Sequence, residues 1–387
     1  MNNIGIISQS PTLTTGFGIT TKKIADFLHA KGYQVSCFGI DQIGETFERN
    51  NFMYKIWTVG GTDVHKTFLD YLKFTKPSSL FINFDIVSIG RWYSIIKASG
   101  FSGKLYAYLI LDGTPFLLAD LSFLKEFAKI IVPTKHVQNY LESLGLRNVY
   151  YAPHGVDPHF YPIGNKKEIR RKLNLHKKKL VGCFGRNTER KQQSKVLQAI
   201  NVLVNEMNMK DYLFYFHCNP FDTLNSWNLN LIARKLKIEK YICFPQDLSN
   251  QLSGVPLSDI KKSINKIEDL NLVERIGICD LCVNIPFSGG FELLNLEIQA
   301  CGVPLISTND NGNIAEIVGK GGILLNSEET QIWRTGADIY FISAKLLAET
   351  ISLLISDRKA KSTLSNAGRK NAAKYNWEIL RKTLNSL

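Results

Sequence analysis

The sequence predicts an α/β fold with two parallel-sheet domains, and three observations carry that expectation. At 387 residues the chain exceeds what one hydrophobic core usually fills, so two domains of about 150–200 residues are expected. Short apolar runs alternate with amphipathic segments, as in strands covered on both faces by helices. The alternation pauses at "HGVDPHFYPIG" (154–164), where Pro, Gly and Asp cluster, and then begins again.

From the N-terminus, "NIGIIS" reads as a buried strand, "SPTLTTGFG" as a glycine-containing loop and "ITTKKIADFLHAKG" as an amphipathic helix closed by glycine, with "QVSCFG" as the next strand. Strands follow at "SLFINF" (79–84), "KLYAYLIL" (104–111), "KIIV" (129–132) and "NVYYAP" (148–153). Beyond a boundary near 155–165 the strand candidates are "KLVGCFG" (179–185), "YLFYFHC" (212–218), "YICFP" (241–245), "DLCVNIP" (280–286) and "PLIST" (304–308), separated by helices. Three helical segments, 343–356, 358–374 and 377–386, finish the chain. Open parallel sheets bind ligands outside the carboxyl ends of their strands, and two such domains are expected to face a cleft.

Composition narrows the class. Hydrophobic residues make up 44% and charged residues 21%, which excludes disordered and collagen-like chains. No run of about 18 apolar residues occurs, and "MNNIGIISQS" lacks the charged-then-apolar pattern of a signal peptide, so a cytoplasmic protein is expected. The seven cysteines, at 37, 183, 218, 243, 279, 282 and 301, sit mostly in apolar runs, as reduced buried thiols do. Cys279 and Cys282 form a CxxC, but no second pair or nearby His completes a zinc site, and no metal is expected. Lys plus Arg exceeds Asp plus Glu by 13, and segment 166–191 alone holds eleven Lys/Arg against two Glu. Such a segment attracts a phosphorylated ligand, an anionic membrane or a nucleic acid, or is simply a solvated helix face.

Two loops stand out. In "CFGRNTERKQ" (183–192), Arg186 and Lys191 lie between a strand and a helix. An Arg fork and a Lys point charge beside free helix N–H groups suit a diphosphate; a basic loop at a strand end is the plain alternative. In "SGGFELLNLE" (288–297), Gly289 and Gly290 let backbone amides approach an anion. Taking the helix as 294–301, Glu297 lies on its first turn and accepts from vicinal ribose hydroxyls, or else is a surface Glu near a helix N-terminus.

With these loops in this order, the chain resembles retaining glycosyltransferases of the GT-B fold, in particular glycosyltransferase family 4 (glycosyl transferases group 1). The resemblance runs through "YYAPHGVDPHFYP", "GRNTERK", "HCNPFDTLNSWNLNLIARKL", "GGFELLNLEIQACGVPLIST", "NGNIAEIVGKGGILL" and "YNWEILRKTL", over about 150–387. The N-terminal part matches through its strand-loop-helix pattern and its loop with Gly16 and Gly18. It implies two Rossmann-like domains: 1–160 binding the acceptor, 161–365 binding the nucleotide sugar, and C-terminal helices at 366–387 crossing back to the first.

By that resemblance Arg186 and Lys191 match the donor-diphosphate residues, Gly289, Gly290, Phe291, Glu292 and Leu293 line the donor loop, and Gly16 and Gly18 are further donor-binding candidates. Glu297 matches the second glutamate of the family's E-x7-E pair, the ribose binder. The first falls on Gly289, and Glu292 is the candidate to replace it from a shifted loop. Asp112, in "LILDGTPF" at the end of a strand, is a candidate for acceptor or sugar hydroxyls, with turn capping as the alternative. His154 lies at the hinge, read as a structural histidine bonded to the linker backbone. Asp157 is expected to cap a turn, His217 and Asp222 to be scaffold, and Trp377 to be core packing.

The implied reaction moves a hexose from a nucleoside diphosphate sugar to a hydroxyl acceptor, with retention and without metal or other cofactor. The implied partners are that donor and a glycan, lipid-linked or other acceptor chosen by loops around 8–18, 41–62 and 112–120; an anionic membrane surface on the cytosolic side is a further one. The rival readings are a nucleic-acid-binding or degenerate sugar-binding protein, and a DNA-modifying glycosyltransferase. The basic segment lacks the interleaved aromatics of single-strand binders.

Overall fold

A computed structural model describes residues 3–40, 53–58, 63–221, 226–245 and 267–387 of the chain. The chain divides into two compact units. The first contains residues 1–155, 334–337 and 376–387; the second, 156–333 and 338–375.

In the first unit, seven strands form one sheet: β1 (Asn3–Gln9), β2 (Gln34–Ile40), β3 (Lys55–Thr58), β4 (Ser79–Asp85), β5 (Lys104–Ile110), β6 (Lys129–Val132) and β7 (Val149–Tyr151). Their order is β3-β2-β1-β4-β5-β6-β7, and each described pairing is parallel. Helices α1 (Gly16–Ala30), α2 (Val64–Thr75), α3 (Ile86–Ala98) and α4 (Lys135–Ser143) connect them. Each is started by a side chain that satisfies an orphan N–H: Thr15 accepts from Gly18 N–H, Asp63 from Lys66, Asp85 from Ser88 and Thr134 from Val137. One core covers one sheet face around Phe38, Phe68, Tyr71 and Trp92, and a second gathers Ile4, Ile6, Phe81 and Tyr108 with the chain's last helix.

The second unit repeats the plan. Strands β8 (Lys179–Phe184), β9 (Tyr212–His217), β10 (Ile242–Cys243), β11 (Leu281–Asn284), β12 (Leu305–Thr308) and β13 (Ile323–Leu325) run parallel in the order β10-β9-β8-β11-β12-β13. Helix α5 (Lys166–Lys172) precedes β8, helices α6 (Gln193–Asn201), α7 (Leu229–Leu236), α8 (Leu272–Gly277), α9 (Leu293–Ala300) and α10 (Asn313–Val318) lie between the strands, and a small hairpin of β14 (Glu329–Ile332) and β15 (Asp338–Phe341) follows. Then come α11 (Ala344–Ser356), α12 (Arg358–Ala372) and α13 (Trp377–Leu384). Again two cores cover the sheet, one around Phe214, Phe216, Leu281 and Ile351, the other around Leu180, Tyr215, Ile276 and Leu305.

All the strands named from sequence are present. Missed were β3, β13 and the β14–β15 hairpin, four residues or fewer each and, in β14, exposed throughout, so they carry little apolar signal. The changeovers fall at 155/156 and 375/376, against 160/161 and 365/366 from the sequence. The reason is local pairing: Val156 N–H donates to Tyr375 O at 3.0 Å, and Asn371 on α12 donates to Ile317 O at 2.9 Å, so these residues stay with the second unit. The last helix, α13, belongs to the first unit, where Trp377, Leu380 and Leu384 are buried.

Candidate functional site

Strands β8 and β11 are neighbours in the sheet, so the loops leaving their carboxyl ends lie side by side. Three hydrogen bonds join these loops. Phe287 N–H donates to Arg190 O at 2.9 Å, Gln192 Nε2 donates to Ile285 O at 2.9 Å, and Arg190 Nη1 donates to Ser288 O at 2.7 Å.

Glu292 sits where the loops meet, on the residue before α9, in the left-handed region at φ +57°. That turn folds its side chain inward. Oε1 accepts from Arg190 Nη1, and Oε2 accepts from Lys191 Nζ and, at 3.2 Å, from Asn284 Nδ2. The Glu292 side chain is 3% exposed, Lys191 12% and Arg190 30%. Burial alone would raise the carboxyl's pKa, but the Lys191 ammonium and Arg190 guanidinium overcome that and hold it well below the usual range. The three together carry one net positive charge.

Buried amides back this cluster. Asn284, the last residue of β11, also donates to Asn295 Oδ1 at 2.7 Å, and Ser307 on β12 donates to Asn284 O at 2.7 Å. Asn313 donates to Gly289 O at 2.9 Å. Asp310 accepts from the N–H groups of Gly312, Ile314 and Ala315 at 2.9, 3.0 and 3.0 Å, which starts α10 and so fixes Asn313.

Glu297 corrects a detail of the sequence reading. Since α9 begins at Leu293 rather than 294, Glu297 is its fifth residue and lies on the second turn. It is half-buried, and burial, with the charge of Asp157 added, pushes its carboxyl up to about 7. Asp157 caps a turn, with His159 Nδ1 at 2.8 Å and His159 N–H at 3.4 Å from its Oδ1. Glu297 is thus neither a surface Glu nor a fully ionised group at neutral pH.

The structure brings Lys191, Gly289 and Glu292 together. Gly290 and Phe291 are buried beside them, Phe291 edge-on to Tyr375 at 6.0 Å, and Leu293 opens α9. Arg186 is exposed, just beyond Gly185, which turns the chain at φ +105°. Gly16, Gly18, Asp112 and His154 belong to the first unit. Gly18 is in the first turn of α1, and Asp112 is exposed two residues past β5. His154 is buried between Tyr108 and Trp377, with ring centroids at 5.3 and 5.8 Å, and burial lowers its pKa to about 3. It packs as a neutral ring. His217 meets Tyr215 OH at 2.7 Å and Phe184 at 5.5 Å. Asp222 and residues 41–52 and 59–62 lie outside the described residues.

Sequence reasoning missed Arg190 and the asparagines at 284, 295 and 313. For Asn284 and Asn295 the available signal was a polar residue inside an apolar run, the same signal that singled out Glu297; Arg190 and Asn313 lie in polar stretches and carried none. The basic segment is also less of a surface than its composition suggests. Arg170 is buried against Asp280 at 2.6 Å, with Lys166 at 3.6 Å from the same oxygen, and Lys179 pairs with Asp211 at 3.1 Å. All seven cysteines are buried and unbridged. Among the described residues no helix is long and apolar enough to cross a membrane.

Residues 244–371 match the family glycosyl transferases group 1. The lipopolysaccharide core biosynthesis mannosyltransferase LpsB of Rhizobium meliloti (strain 1021) is 26% identical over 223 residues, covering 57% of this chain and 54% of that protein. A D-inositol 3-phosphate glycosyltransferase of Corynebacterium jeikeium (strain K411) is 25% identical over 268 residues, 67% of this chain and 56% of that protein. The chain thus spans about half the length of these relatives. Among solved structures, sucrose-phosphate synthase from Thermosynechococcus elongatus superposes with a TM-score of 0.73 at 15% identity, covering 100% of this chain and 98% of that one. Anabaena Alr3699/HepE, solved with UDP and glucose, gives 0.70 at 15% identity with both chains fully covered. The fold is GT-B, and the resemblance to glycosyl transferases group 1 is borne out.

Proposed function

We propose, on the premise of a glycosyl transferases group 1 region within a GT-B fold, that the chain moves a hexose from a nucleoside diphosphate sugar to a hydroxyl acceptor with retention of anomeric configuration. The observation that carries this reading is the Arg190–Lys191–Glu292 cluster at the carboxyl ends of β8 and β11, followed one helical turn later by Glu297.

In the proposed reaction the bond between the anomeric carbon and the diphosphate oxygen breaks with its electron pair on the diphosphate. The acceptor oxygen bonds to the same carbon on the face the diphosphate leaves, and its proton passes to the departing diphosphate oxygen. Negative charge grows on the leaving group, where Lys191, Arg186 and the amides at Gly290 and Phe291 are suited to oppose it. Preorganised groups of this kind are worth about 2.7–4 kcal/mol each. These cations make a metal unnecessary in this reading. Glu297, when ionised, accepts from the ribose diol. UDP is the first nucleotide to test, because the Anabaena protein was solved with UDP and with UDP-glucose.

The nucleic-acid reading is weaker, because part of the basic segment is spent on internal ion pairs. A peripheral membrane role would rest on the exposed Lys167, Arg171, Lys177 and Lys178, and sedimentation with anionic but not neutral vesicles at low salt is its test.

Thermal shift with UDP, GDP, ADP, their sugar conjugates and a DNA duplex tests the main reading. A ligand at about 100 times its dissociation constant stabilises the fold by about 2.7 kcal/mol. Stabilisation by one nucleotide family, weakened in Glu297→Ala, supports the donor site. A response to DNA alone, or to nothing, would remove it.

A further inference from the structure

We propose that Glu292 is a positioning residue that holds Arg190 beside Lys191, and that Arg190 is thereby a further cation for the diphosphate of the donor, beyond Lys191 and Arg186. The inference rests on the donor-site reading above and adds to it a residue of the same loop that the resemblance does not match.

The geometry supports three steps. First, Arg190 is fixed rather than solvated: Nη1 alone contacts both Ser288 O at 2.7 Å and Glu292, and the residue's own carbonyl accepts from Phe287 N–H at 2.9 Å. A guanidinium has five N–H donors in a rigid fork, and these contacts hold one arm of that fork against Ser288 and Glu292. Second, the carboxylate between the cations is itself fixed by Asn284, which the β11–β12 network holds in place. Two like charges are thereby kept adjacent at the entrance to α9, with a single carboxylate shared between them. Third, Glu292 fills a volume that belongs to another position. A Cβ built on Gly289 would lie 2.7 Å from Oε1 and 2.8 Å from Cγ of Glu292, and 3.1 Å from Arg190 Nη1. A carboxylate reaching the cations from 289 would need that space; here it is supplied from 292, at a left-handed residue that favours glycine. The exchange of glycine and glutamate between the two positions is therefore self-consistent.

The test is titration calorimetry with UDP and UMP, alongside thermal melts, on wild type, Arg190→Ala, Glu292→Gly and the exchange variant Gly289→Glu/Glu292→Gly. Losing one charge-assisted contact should weaken UDP on the order of tenfold in Arg190→Ala. UMP, with one phosphate, should change by less than about twofold, a difference that general destabilisation would not produce. Glu292→Gly should weaken UDP in the same way. The exchange variant, which returns a carboxylate to the same space with only the Arg190 head to shift, should recover most of the loss. Equal effects on UDP and UMP, no effect of Arg190→Ala, or an exchange variant no better than Glu292→Gly would overturn the proposal. Should Glu292→Gly not fold, Arg190→Ala and the exchange variant still decide it. A wild type that binds none of UDP, GDP or ADP would sink the donor-site reading together with this one; wild-type binding with unaltered Arg190→Ala sinks only this one.

Discussion

Gly289 and Glu292 compete for one volume: a Cβ on the first would stand 2.7 Å from a carboxylate oxygen of the second. Gly289→Ala should therefore cost about 1–3 kcal/mol, because the obstructing oxygen is tied to Arg190 and cannot swing away freely. Urea denaturation reads this as a lower midpoint at unchanged slope; an unaltered midpoint would mean the carboxylate does not occupy that space.

Glu292 should contribute stability that depends on pH in a defined direction. Its folded-state pKa is depressed, so the contribution is complete above the unfolded value near 4.5 and is lost as pH falls through the lower folded value. Glu292→Gln should destabilise the chain by about 3 kcal/mol at pH 7, since it strands two cations in a partly buried site, and the gap to wild type should shrink on acidification. A gap constant from pH 7 to pH 3 would contradict the ion-pair account.

Glu297 should behave in the opposite way. Its folded value of about 7 lies above the ordinary 4.5, so the stability present below 4.5, where it is protonated, is lost as pH rises through 7. Glu297→Gln should stabilise the unliganded chain at pH 8, on the order of 1 kcal/mol, and by less at pH 5. UDP-glucose binding should move the other way, tightening from pH 6 to pH 8 in wild type but not in the variant, if ionised Glu297 receives the ribose. Equal melting shifts at both pH values would rule out the raised pKa.

Two glycines of one helix turn should respond differently. A Cβ at Gly18 would strike Leu13 O and lie 2.9 Å from Ser10 O, both backbone atoms, whereas nothing lies within 4 Å of one at Gly16. Gly18→Ala should cost about 2 kcal/mol or more, while Gly16→Ala should be neutral or stabilising by about 0.5 kcal/mol. Chemical denaturation of the pair measures the contrast, and similar midpoints would refute it.

Arg170 should count toward structure rather than surface charge. It is buried, bonds Asp280 at 2.6 Å and Leu175 O at 3.0 Å, and Arg170→Met leaves Asp280, among the described residues, with the more distant Lys166 as its cation. A loss of about 3–5 kcal/mol is expected. Lys177→Ala, at an exposed position, should stay within about 0.5 kcal/mol. If vesicle or DNA binding fell more with Arg170→Met than with Lys177→Ala at matched folded fraction, the assignment would be wrong.

The scaffold is written in the order of residues along the chain. The apolar runs of β1, β4, β5, β8 and β9 alternate with amphipathic helices, and because parallel strands are buried on both faces, that local pattern specifies the layered fold with little else. The two loops carrying the site were legible for the same reason: glycines and charges just after strand ends form a local pattern that stands out before any distant partner is known. Arg190 was not legible, because a charge in a run of charges looks alike whether it is solvated or fixed. Nor were Asn284, Asn295 and Asn313, whose partners lie on other elements. Three-dimensional packing was needed to show which cations Glu292 holds, that it fills the space at Gly289, and that burial raises the pKa of Glu297. The pairing and the titration both depend on residues about 100 or more positions apart meeting in a low-dielectric site, where burial and charge outweigh the intrinsic preference of any one residue.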